Sequence, residues 1–168
     1  MTYDPIDRVQ NYLKAHGMTL TTAESCTAGR MVALLSEKAG TGSVLESGYV
    51  VYSPEAKQRL LGVNPQTIEH FGLTSQEVAR EMALGALTDS TASVAIATTG
   101  VAGPDSEGDI PPGTLCFAWA FADLPTPAVF SRTERFFGDR QSVLHQASLH
   151  GLLQMMLFHQ RWLRGERS

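Results

Sequence analysis

Four short segments of this 168-residue chain carry residue types that can do covalent or ionic chemistry. The first, Glu24-Ser25-Cys26-Thr27-Ala28-Gly29, lies between a β-branched run and a helical pattern. A strand that turns sharply into a helix presents its turn residues at the sheet edge, beside the unfilled N–H groups of the helix start. Those groups stabilise a bound phosphate or the oxyanion of an attacked acyl group, so a hydroxyl or thiol there is well placed as a nucleophile. The plainer reading makes Ser25 or Thr27 a helix cap and Cys26 a small buried apolar residue. The second segment is Tyr52-Ser53-Pro54-Glu55-Ala56-Lys57. If Pro54 opens a helix, Lys57 lies about one turn from the strand end that holds Tyr52, and phenol and amine can point into one space. A partly buried lysine loses its proton more easily and can deprotonate a serine, with the tyrosine relaying or orienting that proton. Only Lys14, Lys38 and Lys57 supply amines in the whole chain. The plainer reading leaves Lys57 on a solvated helix face.

The third segment, Thr98 to Gly108, places Thr99, Gly100 and Gly103 after an apolar strand. Glycines there let the backbone approach a ligand closely, and threonines add hydroxyl donors. It lacks the Gly-Lys-Ser/Thr end of a P-loop and the dinucleotide fingerprint. In the fourth, Phe137-Gly138-Asp139-Arg140, Asp139 reads as a helix cap and Arg140 as an anion clamp. The five histidines have no partner motif and read as structural or solvated.

The elements that position these segments follow from periodicity and punctuation. Ile6, Val9, Tyr12 and Leu13 have helical spacing before Gly17. A short strand then runs from Met18 to Ala23, and a helix from Met31 ends near Gly40. Gly48 to Tyr52 reads as a strand. Ser53 and Pro54 predict a helix to about Leu61, with further helices over Gln66–Phe71 and Gln76–Thr88. Ser93–Thr98 is a buried strand leading into a loop over Gly100–Gly113. Thr114–Phe121 and Val129–Phe137 read as paired strands, and Arg140–Arg161 as a long helix with Val143, Leu144, Ala147, Leu152, Met155 and Met156 on its apolar face. Helices and strands alternate, which predicts one α/β domain over residues 1–168 with a mixed sheet between helical layers. Ligands in such sheets gather at the carboxyl ends of strands, which is where the candidate segments fall.

Composition limits the function classes. The net charge is −4, with 18% charged and 43% hydrophobic residues, ordinary for a globular protein and wrong for a disordered one. The acidic balance argues against a general nucleic-acid binder. No window offers 18 apolar residues in a row and Met1-Thr-Tyr-Asp-Pro is no signal peptide, so no membrane association and a cytoplasmic location are expected. Cys26 and Cys116 are too few for a disulfide scaffold, and no His/Cys cluster has zinc spacing.

Five motifs in order resemble those of the CinA C-terminal domain family, whose stand-alone members are PncC-type nicotinamide-nucleotide amidases. They are Ala-Glu-Ser-Cys-Thr at 23–27, Tyr-Ser-Pro-Glu-Ala-Lys at 52–57, Gly-Val-Ala-Gly-Pro at 100–104, Pro-Gly-Thr at 112–114 and Gly-Asp-Arg at 138–140. The resemblance implies hydrolysis of the carboxamide of nicotinamide mononucleotide to nicotinate mononucleotide and ammonia. It implies Ser25 as nucleophile, Tyr52 and Lys57 as its activators, and neither metal nor cofactor. Cys26, Thr27, Thr99, Gly100, Gly103 and Arg140 are then expected around oxyanion and substrate. A pyridine mononucleotide is the expected partner, and a homo-oligomer, set at a dimer, the expected assembly.

The chain departs from the family pattern at three places. Ala28 stands where the family has glycine, which matters if that backbone needs a positive φ. Asp105-Ser-Glu-Gly-Asp109 replaces a glycine-rich run, and Ile110 and Leu144 stand where a lysine and an arginine are usual. Positive charge is therefore lost around a phosphorylated ligand. A catalytically silent paralogue acting as a nucleotide-binding or regulatory protein is the alternative, and a thiol enzyme using Cys26 is a third reading.

Overall fold

A computed structural model describes residues 3–168. The elements are α1 (Pro5–Ala15), β1 (Leu20–Glu24), α2 (Arg30–Ser36), a 3-10 turn (Thr41–Ser43), β2 (Leu45–Val50), α3 (Pro54–Leu61), α4 (Pro65–Phe71), α5 (Gln76–Asp89), β3 (Val94–Val101), β4 (Thr114–Phe121), β5 (Ala128–Arg135) and α6 (Arg140–Leu163). The five strands form one sheet in the order β2-β1-β3-β4-β5. β1 runs parallel to both β2 and β3, while β4 is antiparallel to β3 and β5. This is the α/β architecture with a mixed sheet expected from the alternation.

The strand alternation sorts side chains by size. Leu20, Ile96, Leu115, Phe117, Trp119, Phe121 and Phe130 face one way, into a core shared with α1, α2 and α6. Ala23, Ala95, Ala97, Ala118 and Ala120 face the other way, against Ala79, Met82, Ala83 and Ala86 of α5. Small residues on both sides let α5 lie close to the sheet. The contact of α5 with α3 is tighter still: a Cβ on Gly85 would come within 2.0 Å of the Leu61 carbonyl oxygen.

Helix starts follow their local chemistry. Ser53 Oγ accepts the Ala56 N–H at 3.0 Å, with Pro54 in the first turn, and Asp139 Oδ1 accepts the Ser142 N–H at 2.8 Å. Several element bounds differ from the sequence expectation: β2 runs Leu45–Val50 and leaves Tyr52 beyond the strand, β1 runs Leu20–Glu24, β5 ends at Arg135 and α6 reaches Leu163. α2 stops at Ser36, not near Gly40, because Gly40 turns left-handed at φ 85° and the Thr41 hydroxyl donates to the Leu35 carbonyl. β3 continues through Gly100 and Val101, which pair with Leu115 and Thr114, so Gly100 belongs to the strand and not to the loop. Its missing side chain has a reason there, since a Cβ would lie 2.5 Å from the Thr114 carbonyl oxygen. Among the described residues, no helix is long and apolar enough to cross a membrane.

Candidate active site

β1 connects to β2 on one side and lies beside β3 on the other, so its carboxyl end sits where the strand order reverses, the usual ligand position in such sheets. Backbone bonds tie the three strand ends together there: the Ser25 N–H donates to Thr98 O at 3.0 Å and the Val51 N–H to Glu24 O at 2.9 Å. α3 starts three residues after Val51 and carries Lys57 back over this junction. Lys57 is 1% exposed, and its Nζ lies 2.9 Å from Ser25 Oγ, 3.1 Å from Val51 O and 3.1 Å from Tyr52 O. Among the described residues no carboxylate is within ion-pair distance of it. Burial holds its pKa below the ordinary lysine value, against weak opposition from Cys26 and Glu107. A neutral amine has two hydrogens and one lone pair. The two carbonyls can take the hydrogens, which leaves the lone pair for the Ser25 hydroxyl.

The turn after β1 is organised by Glu24, a fully buried acid. Its carboxylate accepts from Thr22 Oγ1 at 2.9 Å, Thr27 Oγ1 at 2.8 Å, Met31 N–H at 3.0 Å and Val32 N–H at 3.4 Å. Thr98 Oγ1 lies 2.7 Å from Thr27 Oγ1 and donates to it, because the single Thr27 hydroxyl proton goes to Glu24. Ala28 has φ 52°, so the departure from glycine places a side chain in the left-handed region at a cost of about 1–2 kcal/mol. Among the described residues no oxygen accepts the N–H of Cys26 or Thr27. Cys26 itself is buried, and that burial pushes its thiol up to about 12, only partly offset by the Cys26 and Thr27 N–H groups.

Ser25, Cys26 and Lys57 open onto a cavity of about 390 Å³ whose walls include Tyr52, Thr99, Gly100, Gly103, Asp105, Glu107 and Arg140. Arg140 donates to the Gly103 carbonyl and to Tyr52 Oη, and has no carboxylate partner among the described residues. All three expected groups line this one cavity, but the direct hydrogen bond joins only two of them, Lys57 and Ser25. Lys57 meets Ser25 and the Tyr52 carbonyl, while the Tyr52 phenol, on a side chain 57% exposed, turns to Arg140. Thr99 does line the cavity, but its hydroxyl proton is committed to Leu73 O at 2.9 Å. Of the acidic loop, Asp105 and Glu107 reach this cavity, whereas Asp109 and Ile110 line a neighbouring one. Leu144 is 3% exposed and packs in the α6-side core, so it is no vacant charge position. Glu24 and Thr98 join the site although the motifs above give neither a role. The available signal for Glu24 was an acid closing a strand otherwise free of charge.

A strand-end serine beside a buried lysine sits on a mixed five-stranded sheet between helical layers. The chain belongs to the CinA C-terminal domain family, whose profile matches residues 4–158. It is homologous over most of its length to nicotinamide-nucleotide amidohydrolase PncC of Escherichia coli K12, at 41% identity over 147 residues, 87% of each chain. A CinA-like protein of Chlorobium luteolum is 42% identical over 158 residues, 92% of this chain and 36% of that longer one. The crystal structure of competence damage-inducible protein A (ComA) from Klebsiella pneumoniae superposes with a TM-score of 0.88 at 34% identity, covering 94% of this chain and 96% of that one.

Proposed function

We propose that the protein hydrolyses the carboxamide of nicotinamide mononucleotide, giving nicotinate mononucleotide and ammonia. The observation that carries this reading is the buried, carboxylate-free Lys57 2.9 Å from Ser25 at the mouth of the cavity. Homology to a nicotinamide-nucleotide amidohydrolase supports a nicotinamide nucleotide as the substrate. Neutral Lys57 takes the Ser25 proton directly, and no relay through Tyr52 is required. Ser25 Oγ bonds to the amide carbon, and the negative oxygen that forms lies toward the N–H groups of Cys26 and Thr27, which no protein oxygen accepts among the described residues. Protonated Lys57 returns its proton to the amide nitrogen, the C–N bond breaks and ammonia leaves. Water, deprotonated by Lys57, then attacks the Ser25 ester, releasing the carboxylate and restoring the hydroxyl. Arg140, held by Gly103 and Tyr52, is the cation available to the phosphate.

The test is ammonia release from purified protein and nicotinamide mononucleotide, with nicotinate mononucleotide identified as product. The reading requires turnover that disappears in Ser25→Ala. Asp105 and Glu107 favour the second reading, a silent nucleotide-binding paralogue, because both place negative charge where a phosphate approaches. Nucleotide binding without ammonia release would select it.

A further inference from the structure

Glu24 takes no part in the chemistry above, yet among the described residues it is the only fully buried acid. Its carboxylate grips both ends of the turn that follows it: Thr27 within the turn, and the N–H groups of Met31 and Val32 beyond it. Between those grips lies Ala28 at φ 52°. A non-glycine residue in the left-handed region persists only when its surroundings over-determine it. Three bonds are internal to this turn: Ala28 N–H to Ser25 O and Arg30 N–H to Thr27 O, each 3.0 Å, and the Arg30 guanidinium to Thr27 O at 3.2 Å. The ends of the turn are tied by Ser25 N–H to Thr98 O and Ala33 N–H to Gly29 O, and Glu24, reinforced by Thr98 through Thr27, adds the side-chain constraint that spans Ala28.

We propose that Glu24 is a positioning residue whose carboxylate holds Ala28 left-handed, and through it keeps the Cys26 and Thr27 N–H groups aimed at the reacting oxygen. Glu24 and Ala28 therefore act as a coupled pair, with the acid supplying the constraint that a glycine at position 28 would make less necessary. The inference rests on the proposed amidase reading for its kinetic arm only. Glu24→Gln keeps the side-chain shape but replaces one accepting oxygen by a donor, so four converging donors cannot all be met.

A double-mutant cycle between Glu24→Gln and Ala28→Gly tests the pair. In the otherwise unaltered chain, Glu24→Gln lowers kcat for nicotinamide mononucleotide by about 10- to 100-fold with KM moved less than about threefold, the pattern of lost transition-state stabilisation. In the Ala28→Gly background the loss is smaller by at least about fivefold. Amide hydrogen exchange reads the turn without any turnover. Glu24→Gln speeds exchange at positions 28 and 30 when Ala28 is retained, and the acceleration shrinks at the same two positions in the Ala28→Gly background. If Glu24→Gln does not fold, Thr27→Val removes one bond to the same carboxylate and is carried through the same cycle. Equal kcat losses in both backgrounds, or exchange at positions 28 and 30 that ignores Glu24, overturn the proposal. A wild-type protein that releases no ammonia overturns the substrate reading instead, and the exchange cycle still decides on the clamp.

Discussion

Ser25 and Cys26 are adjacent and equally buried, but Lys57 serves the hydroxyl while burial keeps the thiol protonated. A thiol held near 12 is almost entirely protonated at neutral pH, and the thiolate is the attacking form. Ser25→Ala is expected to lower ammonia release by at least about a thousandfold, whereas Cys26→Ala keeps it within about fivefold. Intact-mass measurement after iodoacetamide treatment of the folded protein should show Cys26 unmodified. The same logic fixes a pH dependence. Only neutral Lys57 can accept the Ser25 proton, so kcat/KM rises with pH as Lys57 deprotonates, with a midpoint below the ordinary lysine value of 10.5. Lys57→Arg is inactive across the profile because the guanidinium stays protonated. The folded chain also holds that proton less tightly than the unfolded chain. Its contribution to stability is therefore fullest above the ordinary lysine value and falls away as pH drops from there to the folded value.

At the scale of elements, the base depends on how α3 sits on α5. Gly85→Ala places a Cβ against the Leu61 carbonyl, four residues along the helix from Lys57, and α3 must move. Overpacking of this kind costs about 1–3 kcal/mol, which for a chain of this size lowers Tm by about 3–10 °C. A drop in kcat should accompany the thermal shift, because Lys57 moves with its helix. The helix itself was legible in the sequence: Ser53 and Pro54 mark its start, and the observed span matches Pro54–Leu61. Cap and turn residues act locally, so local sequence reports them. Long-range choices are less visible. Nothing around Tyr52 says that its phenol faces Arg140, 88 positions away, while its carbonyl faces Lys57. Gly100 read as a loop residue because its need for space comes from Thr114 and Leu115 on another strand. Leu144 shows the reverse: the helical periodicity already placed it on the apolar face of α6, where the structure keeps it. An arginine there would bury a charge without a partner, so Leu144→Arg should impair folding rather than aid substrate binding.

Across the whole molecule the net charge is −4, and the cavity carries both signs, Arg140 against Asp105 and Glu107. An incoming phosphate meets attraction and repulsion at close quarters. Replacing Asp105 by Asn and Glu107 by Gln together is expected to lower KM for nicotinamide mononucleotide by about two- to fivefold at low salt. Titrating sodium chloride should shrink that gain, since the screening length falls from about 10 Å at 0.1 M to about 3 Å at 1 M. The two reacting groups also belong to opposite layers. The Ser25 turn leads into α2, on the side of the sheet covered by α6, whereas Lys57 rides on α3, on the side covered by α5. Outside the site, Trp119 of β4 lies buried against Phe158, its ring centroid 4.4 Å away and its indole N–H on Gly151 O at 2.8 Å. Indole fluorescence therefore reports the α6 layer, and ammonia release reports the junction of both layers. With one sheet shared by both layers, urea should extinguish catalysis and red-shift the combined emission of Trp119 and Trp162, both on the α6 side, at one common midpoint, in a single cooperative transition.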